Sequence, residues 1–392
     1  MQNLINNCKH EVKIITPNDG YHYFFAYYDM RATGEDGRHL CHRVPFMDRL
    51  PVAEDVAEVG YLEDGKFYHI GETTAWNFQQ GAMLQYHPFE KNTVYYNVCE
   101  DGKFQTVTHN FETGEKKYAD RATACVSPDG KWGLAVNFGR IYDFRPGYGY
   151  AGFKDEYSEV NAPHEDGVFL VDMEKGTSKQ ILFYDTLAPI SGFNKEDKVL
   201  VNHITFNTAS DRFVMLVRNF QRHGSNMGWS TSMVVSDIEG NAHTVLPNTY
   251  VSHYHWLNAE QIVAHCTVEG DKKGMYLVNT TDGTWIEYDM PYFHEVGNTD
   301  IHCNFSPDGR YIIGDGYPHA ENQHRYLLAY DVKTGKSCTL LSAKTDFPVT
   351  NDIRCDLHAR FVWGGKYISF DTTHNDRREI ALISSEVLKE EL

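Results

Sequence analysis

Histidine recurs at one register of this sequence. His203, His253, His302 and His358 each stand five residues ahead of the second residue of a polar turn. His255 lies two residues beyond His253 and so shares that strand's face. Imidazoles brought together from several strands are ligands for a divalent metal. Cys355 precedes His358 by three residues, and Cys266 falls on the strand expected to pair with that of His253. A thiolate from either favours zinc, whereas a set of imidazole and oxygen admits manganese. Asp300 and Asp356, each two residues before a ring histidine, are expected to orient the imidazoles from outside the ligand set. A repeated histidine is also compatible with a packing role inherited by related repeats.

These residues need elements to position them. Helical periodicity is almost absent, and short alternating strands rich in Tyr, Phe, Val and Ile recur between Gly, Asp, Asn and Pro. Aligned on their turns, seven hairpin units emerge. The clearest are TACVSPDGKWGLAV from Thr123 and HCNFSPDGRYIIGD from His302. HARFVWGGKYISFD, HITFNTASDRFVMLV and HYHWLNAEQIVAHC follow the same pattern, MLQYHPFEKNTVYYN has a longer turn, and YDMRATGEDGRHLCH from Tyr28 is the most divergent. The spacing leaves room for two further strands per unit, as in propeller blades with a period of about 40–50 residues. The expected fold is all-β: a seven-bladed β-propeller of four-stranded antiparallel blades, one domain over residues 1–392. Each hairpin would form the inner two strands of its blade, and the segment around Val12–Ile15 would complete the last blade beside Ile380–Ile383. A β-sandwich, or two smaller β-domains, is the competing architecture. Residues at equal register on inner strands surround the central channel, so the four histidines would face one shared space.

Composition narrows the partners. With 54 acidic against 36 basic residues the formal charge is -18. Such a surface repels nucleic acid and anionic membranes. No segment has the length and apolarity of a membrane span, and the N-terminus lacks the apolar core of a signal peptide. A cytoplasmic location is expected. The 8 cysteines are scattered without a CxxC pair, which reads as thiols or metal ligands.

VNHITFN around His203, SHYHW around His253, DIHCNFSPDGRYIIGDGYP around His302 and CDLHARF around Cys355 and His358 together resemble the oligogalacturonate lyases. The related propeller-type ulvan lyases are similar too. AWNFQQGAMLQYHP and RIYDFRPGYGYAG resemble relatives of the same group, so the likeness covers most of the chain. It implies metal-assisted β-elimination on uronic-acid-containing oligosaccharides. In that chemistry a cation neutralises the uronate, a base removes the C5 proton and an acid protonates the leaving O4. It further implies His253, His302 and His358 as metal ligands. Cys355 falls where the oligogalacturonate lyases supply an amide ligand, and Arg218 where they carry the base. Arginine is a poor base and a good carboxylate clamp. Asn77 and Asn97 fall at the spacing of the ulvan lyases' histidine pair, and Tyr142 at that of their tyrosine. Asparagine cannot take a proton, which leaves Tyr142 or His203 for that step.

Two loops add to this set. RIYDFRPGYGY, read as lying between the third and fourth blades, carries Arg140, Tyr142, Arg145, Tyr148 and Tyr150, and RNFQRHGSNMGWS carries Arg218, Arg222 and His223. Tyrosine and arginine suit a sugar acid, by stacking and by a bidentate fork. Arg43, Arg145 and Arg218 are expected to converge on one rim of the propeller, with Tyr148, Asn77 and Asn97 beside the substrate. Two other functions compete. One is a non-catalytic binding propeller of the WD40 or TolB type. The other is a propeller glycoside hydrolase, which needs a carboxylate pair from a set such as Asp29, Asp48, Glu72, Asp143 and Asp315.

Overall fold

A computed structural model describes residues 3–220, 229–269, 272–297, 300–345 and 352–392. The chain forms a seven-bladed β-propeller of antiparallel sheets. The innermost strands of blades 1 to 7 are His22–Phe24, Gln85–Tyr86, Thr123–Val126, Lys198–Phe206, Val251–Trp256, His302–Phe305 and Arg360–Val362. Each pairs with the strand that follows its turn, so the sequence hairpins are the inner halves of the blades. Blade 1 departs from this. Its innermost strand is His22–Phe24, and Tyr28 lies in the irregular stretch after it, where only Thr33 and His39 bridge.

The turns show why the motif recurs. In SPDG at 306–309 the Ser306 hydroxyl donates to Asp308 and accepts from the Tyr311 amide, while Asp308 accepts from the Arg310 amide. Ser127, Asp129, Lys131 and Trp132 repeat the same contacts. The fourth residue takes a positive φ, +72° at Gly130 and +69° at Gly309, which glycine adopts without steric cost.

Closure is more extensive than the sequence indicated. Lys13–Ile14 pairs with Glu379–Ser384 and completes blade 7. Leu4–Asn6 also pairs with Ser337–Lys344 and makes blade 6 five-stranded. The chain start therefore ties two blades together. Facing sheets bury apolar residues on both sides. Val214 and Leu216 of blade 4, for example, pack with Tyr254, Ile262 and Ala264 of blade 5. The Arg140–Gly149 segment is not an inter-blade connection. It belongs to an insertion inside blade 3, between strands Trp132–Ala135 and Gly167–Asp172, and starts in helix Phe138–Phe144. Arg140 pins it from beneath, donating to the carbonyls of Val199 and Asn161 and pairing with Asp155 at 3.0 Å. No helix among the described residues is long and apolar enough to cross a membrane.

Candidate metal centre and active site

The innermost strands do not run smoothly past the channel. Blade 4 is bulged between Asn202 and Ile204, blade 5 between Val251 and His253. His203 and His358 take left-handed backbone, with φ of +48° and +42°. A bulge or a left-handed residue re-aims a side chain, at a cost of about 1–3 kcal/mol where the residue is not glycine. Here it turns imidazoles inward. The ring centroids of His253 and His302 lie 4.2 Å apart, those of His302 and His358 4.6 Å, and those of His203 and His253 5.7 Å. Tyr28 packs against three of these rings.

Three of the four rings are oriented alike. Nδ1 of His253 lies 2.7 Å from Asp300 Oδ1, Nδ1 of His302 lies 3.2 Å from Asp315 Oδ2, and Nδ1 of His358 lies 2.8 Å from the Ala26 carbonyl oxygen. Each Nδ1–H is thereby donated to the protein, which leaves Nε2 as the lone-pair nitrogen. Nε2 of His302 and of His358 are buried without a hydrogen-bond partner. Asp356 faces both, its Oδ2 at 3.9 Å and 3.7 Å from them. One donor atom from each of His302, Asp356 and His358 falls within 4.8 Å of the others. Ligands held about 2.1 Å from one ion stand about 3–4 Å apart, so a small adjustment would let these atoms share a cation.

Electrostatics supports the arrangement. Burial pulls His253 down to about 4 and takes His358 well below its ordinary value, so both are neutral and ready to ligate at pH 7. Burial would lower His302 too, but Asp315 and Asp356 outweigh it and raise its pKa. Burial opposes charge on Asp356, yet Arg325 and Arg354 hold its carboxyl well below the usual range. Arg325 Nη1 lies 2.7 Å from Asp356 Oδ1 and Arg354 Nε 2.7 Å from Oδ2. Each carboxylate oxygen has a second lone pair to offer.

A second layer sits beside the histidines. Tyr27 Oη is 2.6 Å from His203 Nδ1, and Tyr148 meets the His203 ring edge-on at 5.4 Å. Arg354 donates to the Tyr148 hydroxyl oxygen at 2.7 Å. The Arg145 guanidinium lies over the Tyr148 ring at 4.2 Å, and Trp229 lies between Arg145 and Arg218, 5.5 Å and 5.7 Å from their charges. Burial, reinforced by the Arg145 charge, pulls Arg218 down to about 10. Burial, reinforced by the charges of Arg218 and Arg145, keeps His203 neutral. Tyr317 completes the wall against His302 and Arg354.

Several residues singled out in the sequence stand elsewhere. Asp356 shares the cluster of His302 and His358, while Cys355 turns its thiol to a carbonyl oxygen, 3.8 Å away. Burial pushes that thiol up to about 12. Asp356 thus takes the place beside the imidazoles expected of Cys355, rather than an orienting one. The residue opposite His253 on the paired strand is His265, not Cys266, and His265 approaches Asp300 at 3.5 Å. Cys266 is buried in the apolar layer between blades 4 and 5, its thiol also near 12 through burial. His255 packs against Phe305 and accepts from its amide at 3.4 Å. Arg43 forms a fork with Glu58 at 2.9 Å and 2.6 Å, so it does not join Arg145 and Arg218. Asn77 accepts from the Gln79 and Gln80 amides, and Asn97 is held by Thr106, Thr123 and Tyr150. Both asparagines are turn and framework residues. Tyr148, six residues beyond Tyr142, is the tyrosine that reaches the ring. Gly149 is what lets this loop fold back, since a Cβ there would lie 2.2 Å from the Tyr142 amide nitrogen. Arg222 and His223 lie outside the described residues.

Neither a family model nor a curated protein matches the sequence. Solved structures do match. One, an oligogalacturonate lyase in complex with manganese, superposes with a TM-score of 0.68 over 98% of this chain and 95% of its own, at 14% identity. The chain has the fold of that lyase. A second oligogalacturonate lyase, from Vibrio parahaemolyticus, gives a TM-score of 0.63 at 12% identity, covering 98% of both chains. A puromycin-hydrolysing peptidase of Mycobacterium tuberculosis gives 0.52 at 10% identity, covering 92% of this chain and 52% of that one. At these identities the likeness establishes the architecture, and function must be argued from the site.

Proposed function

We propose that this protein is a metal-dependent lyase that cleaves uronic-acid-containing oligosaccharides by β-elimination. The observation that carries the proposal is the cluster of His253, His302 and His358, each ring fixed through Nδ1 so that Nε2 is left as the ligand nitrogen, beside the Arg145 and Arg218 guanidiniums. The residues fit a divalent cation. Two of those nitrogens are buried and unpartnered, and a carboxylate that retains accepting capacity faces them. His253, His302 and His358 would hold the ion, with Asp356 as the oxygen donor. A nitrogen and oxygen set without thiolate suits manganese better than a zinc–cysteine site, and a manganese-bound lyase shares the fold. A bound cation would supply the positive charge that makes proton loss beside a carboxylate accessible.

The chain's own groups supply the rest. Arg145 and Arg218 would clamp uronate carboxylates, and Trp229 and Tyr148 would stack on sugar rings. Tyr148, as a phenolate balanced by the Arg354 guanidinium on its oxygen, would take the C5 proton as the C4–O4 bond breaks and the C4–C5 double bond forms, and would then pass that proton to the leaving O4. His203, kept neutral and linked to Tyr27, would position Tyr148 from the other side. A glycoside hydrolase is less well supported, because Asp315, one of its candidate carboxylates, is engaged by His302 and by the Leu357 amide. Short oligosaccharides taken into the cytoplasm are the substrates proposed, with no nucleic acid or membrane partner.

Ultraviolet absorbance of purified protein with a panel of uronate oligosaccharides tests the reading. The expected result is an unsaturated-uronate band that chelator abolishes and manganese restores. Tyr148→Phe should retain metal and lose about 10²–10⁴-fold in rate. No band on any member, from folded and metal-loaded protein, would defeat the lyase assignment.

A further inference from the structure

The motif DIHCNFSPDGRYIIGDGYP ends in Tyr317 and Pro318, which neither its turn nor its histidine accounts for. Strand Tyr311–Asp315 carries the chain from the turn back to the cluster, where Asp315 meets the His302 ring. Arg325 donates to the Gly316 carbonyl oxygen at 3.0 Å and pairs with Asp356 at 2.7 Å. The backbone just ahead of Tyr317 is thus tied to the carboxylate that faces the imidazoles. A following proline disfavours helical backbone at Tyr317. The Tyr317 ring is then held on several sides. It stands edge-on to His302 at 5.8 Å, and the Arg354 and Arg325 guanidiniums lie 5.1 Å and 5.8 Å from its centre.

Four tyrosine rings among the described residues, those of Tyr27, Tyr28, Tyr148 and Tyr317, meet the clustered histidines. Three of their hydroxyls are engaged. Tyr27 Oη is 2.6 Å from His203 Nδ1, Tyr28 donates to the Tyr254 carbonyl oxygen at 3.1 Å, and Tyr148 accepts from Arg354. Tyr317 Oη has no hydrogen-bond partner among the described residues and is open to solvent. It lies within electrostatic reach of Arg354, Asp300, Tyr148 and Asp356, which border the cluster from several blades. An unmet donor therefore stands beside His302, where a cation would draw a carboxylate. We infer that Tyr317 is a substrate-contacting residue whose hydroxyl donates to the uronate carboxylate at the histidine cluster. The inference rests on the lyase reading and adds to it a neutral donor beside the arginines. As C5 loses its proton, negative charge spreads onto the carboxylate oxygens, so a donor placed there binds the transition state more strongly than the substrate. Tyr317 keeps its own proton throughout, and no covalent bond to it forms or breaks.

The test is calorimetric titration of trigalacturonate into manganese-loaded Tyr148→Phe protein, which the proposed mechanism leaves without its base. Saturable binding is expected. Adding Tyr317→Phe, which keeps the ring and removes only the hydroxyl, should weaken it about ten-fold or more, as for a hydrogen bond to a charged group. Manganese affinity and circular dichroism should not change. In the otherwise wild-type protein, Tyr317→Phe should lower kcat about 10²-fold. Saccharide affinity indifferent to Tyr317→Phe overturns the inference. So does a parallel loss of manganese affinity, which would make Tyr317 a support for the metal ligands only. Absence of saturable binding to the Tyr148→Phe protein overturns it as well. The lyase assignment is read separately, because Tyr317-dependent binding without an unsaturated-uronate band from the wild type would defeat that assignment alone.

Discussion

At the residue scale, the candidate centre is organised by what each imidazole does with its second nitrogen. Asp300, Asp315 and the Ala26 carbonyl take the Nδ1 protons, so each Nε2 is aimed as the ligand atom before any ion arrives. His302 has a pKa raised by Asp315 and Asp356, so over the range above its ordinary value it holds a proton that an ion must displace. Metal affinity should therefore rise with pH through neutrality, with about one proton released per ion, and level off above the His302 pKa. Asp315→Asn removes the principal raising charge. It should weaken metal binding about 10–100-fold and flatten that pH dependence. Calorimetry of manganese binding in buffers of different ionisation enthalpy checks both. A pH-independent affinity in the wild type would remove His302 from the ligand set. The expectation for Cys355 failed at this scale for a simple reason. In the structure the Cys355 thiol is turned to the Asp356 carbonyl oxygen, while the Asp356 carboxylate shares the cluster of His302 and His358, whose left-handed backbone makes spacing along the chain a poor guide to side-chain direction.

At the scale of single elements, the hairpin turn was legible from its letters because serine, aspartate and glycine each satisfy a local backbone demand. Gly309 and Gly364 stand in equivalent turns, one position apart in the aligned hairpins, with φ of +69° and +65°. A Cβ on Gly309 would lie 2.9 Å from Leu257 Cδ1, whereas Gly364 has nothing within 4 Å. Gly364→Ala should cost only the backbone term, about 1–2 kcal/mol, and Gly309→Ala more. Urea denaturation of the two variants makes the comparison, and equal costs would mean that Leu257 swings aside freely. The strand bulges were not legible. No residue type announces that Asn202–Ile204 breaks register or that His203 and His358 turn left-handed, because the surrounding sheet, not local propensity, over-determines those conformations. Nor does the sequence show that Tyr148 rather than Tyr142 faces the ring. That follows from the fold-back at Gly149 and from the anchor at Arg140.

At the scale of the whole molecule, the ring is closed by the chain's own start. Lys13–Ile14 completes blade 7 and Leu4–Asn6 extends blade 6, and both cover edges that would otherwise be open to pairing. Removing residues 1–14 should expose those edges and lower Tm by about 4 °C, as for a loss of roughly 3 kcal/mol. It should also promote association at high concentration. Differential scanning calorimetry and light scattering would show this, and an unchanged Tm would mean that closure adds nothing to stability. What the sequence determined by itself is what is periodic or local: the all-β class, the seven hairpins, their turns, and one histidine at a common register in four of them. Such features depend on alternation and on neighbours a few residues apart. The tertiary structure alone decided which donors converge, that Asp356 and not Cys355 joins the imidazoles, and that Arg43 is spent on Glu58. Those outcomes depend on contacts between residues far apart in the chain, such as Asp371 with Phe25, 346 positions away, and closing a ring of seven blades fixes them all at once.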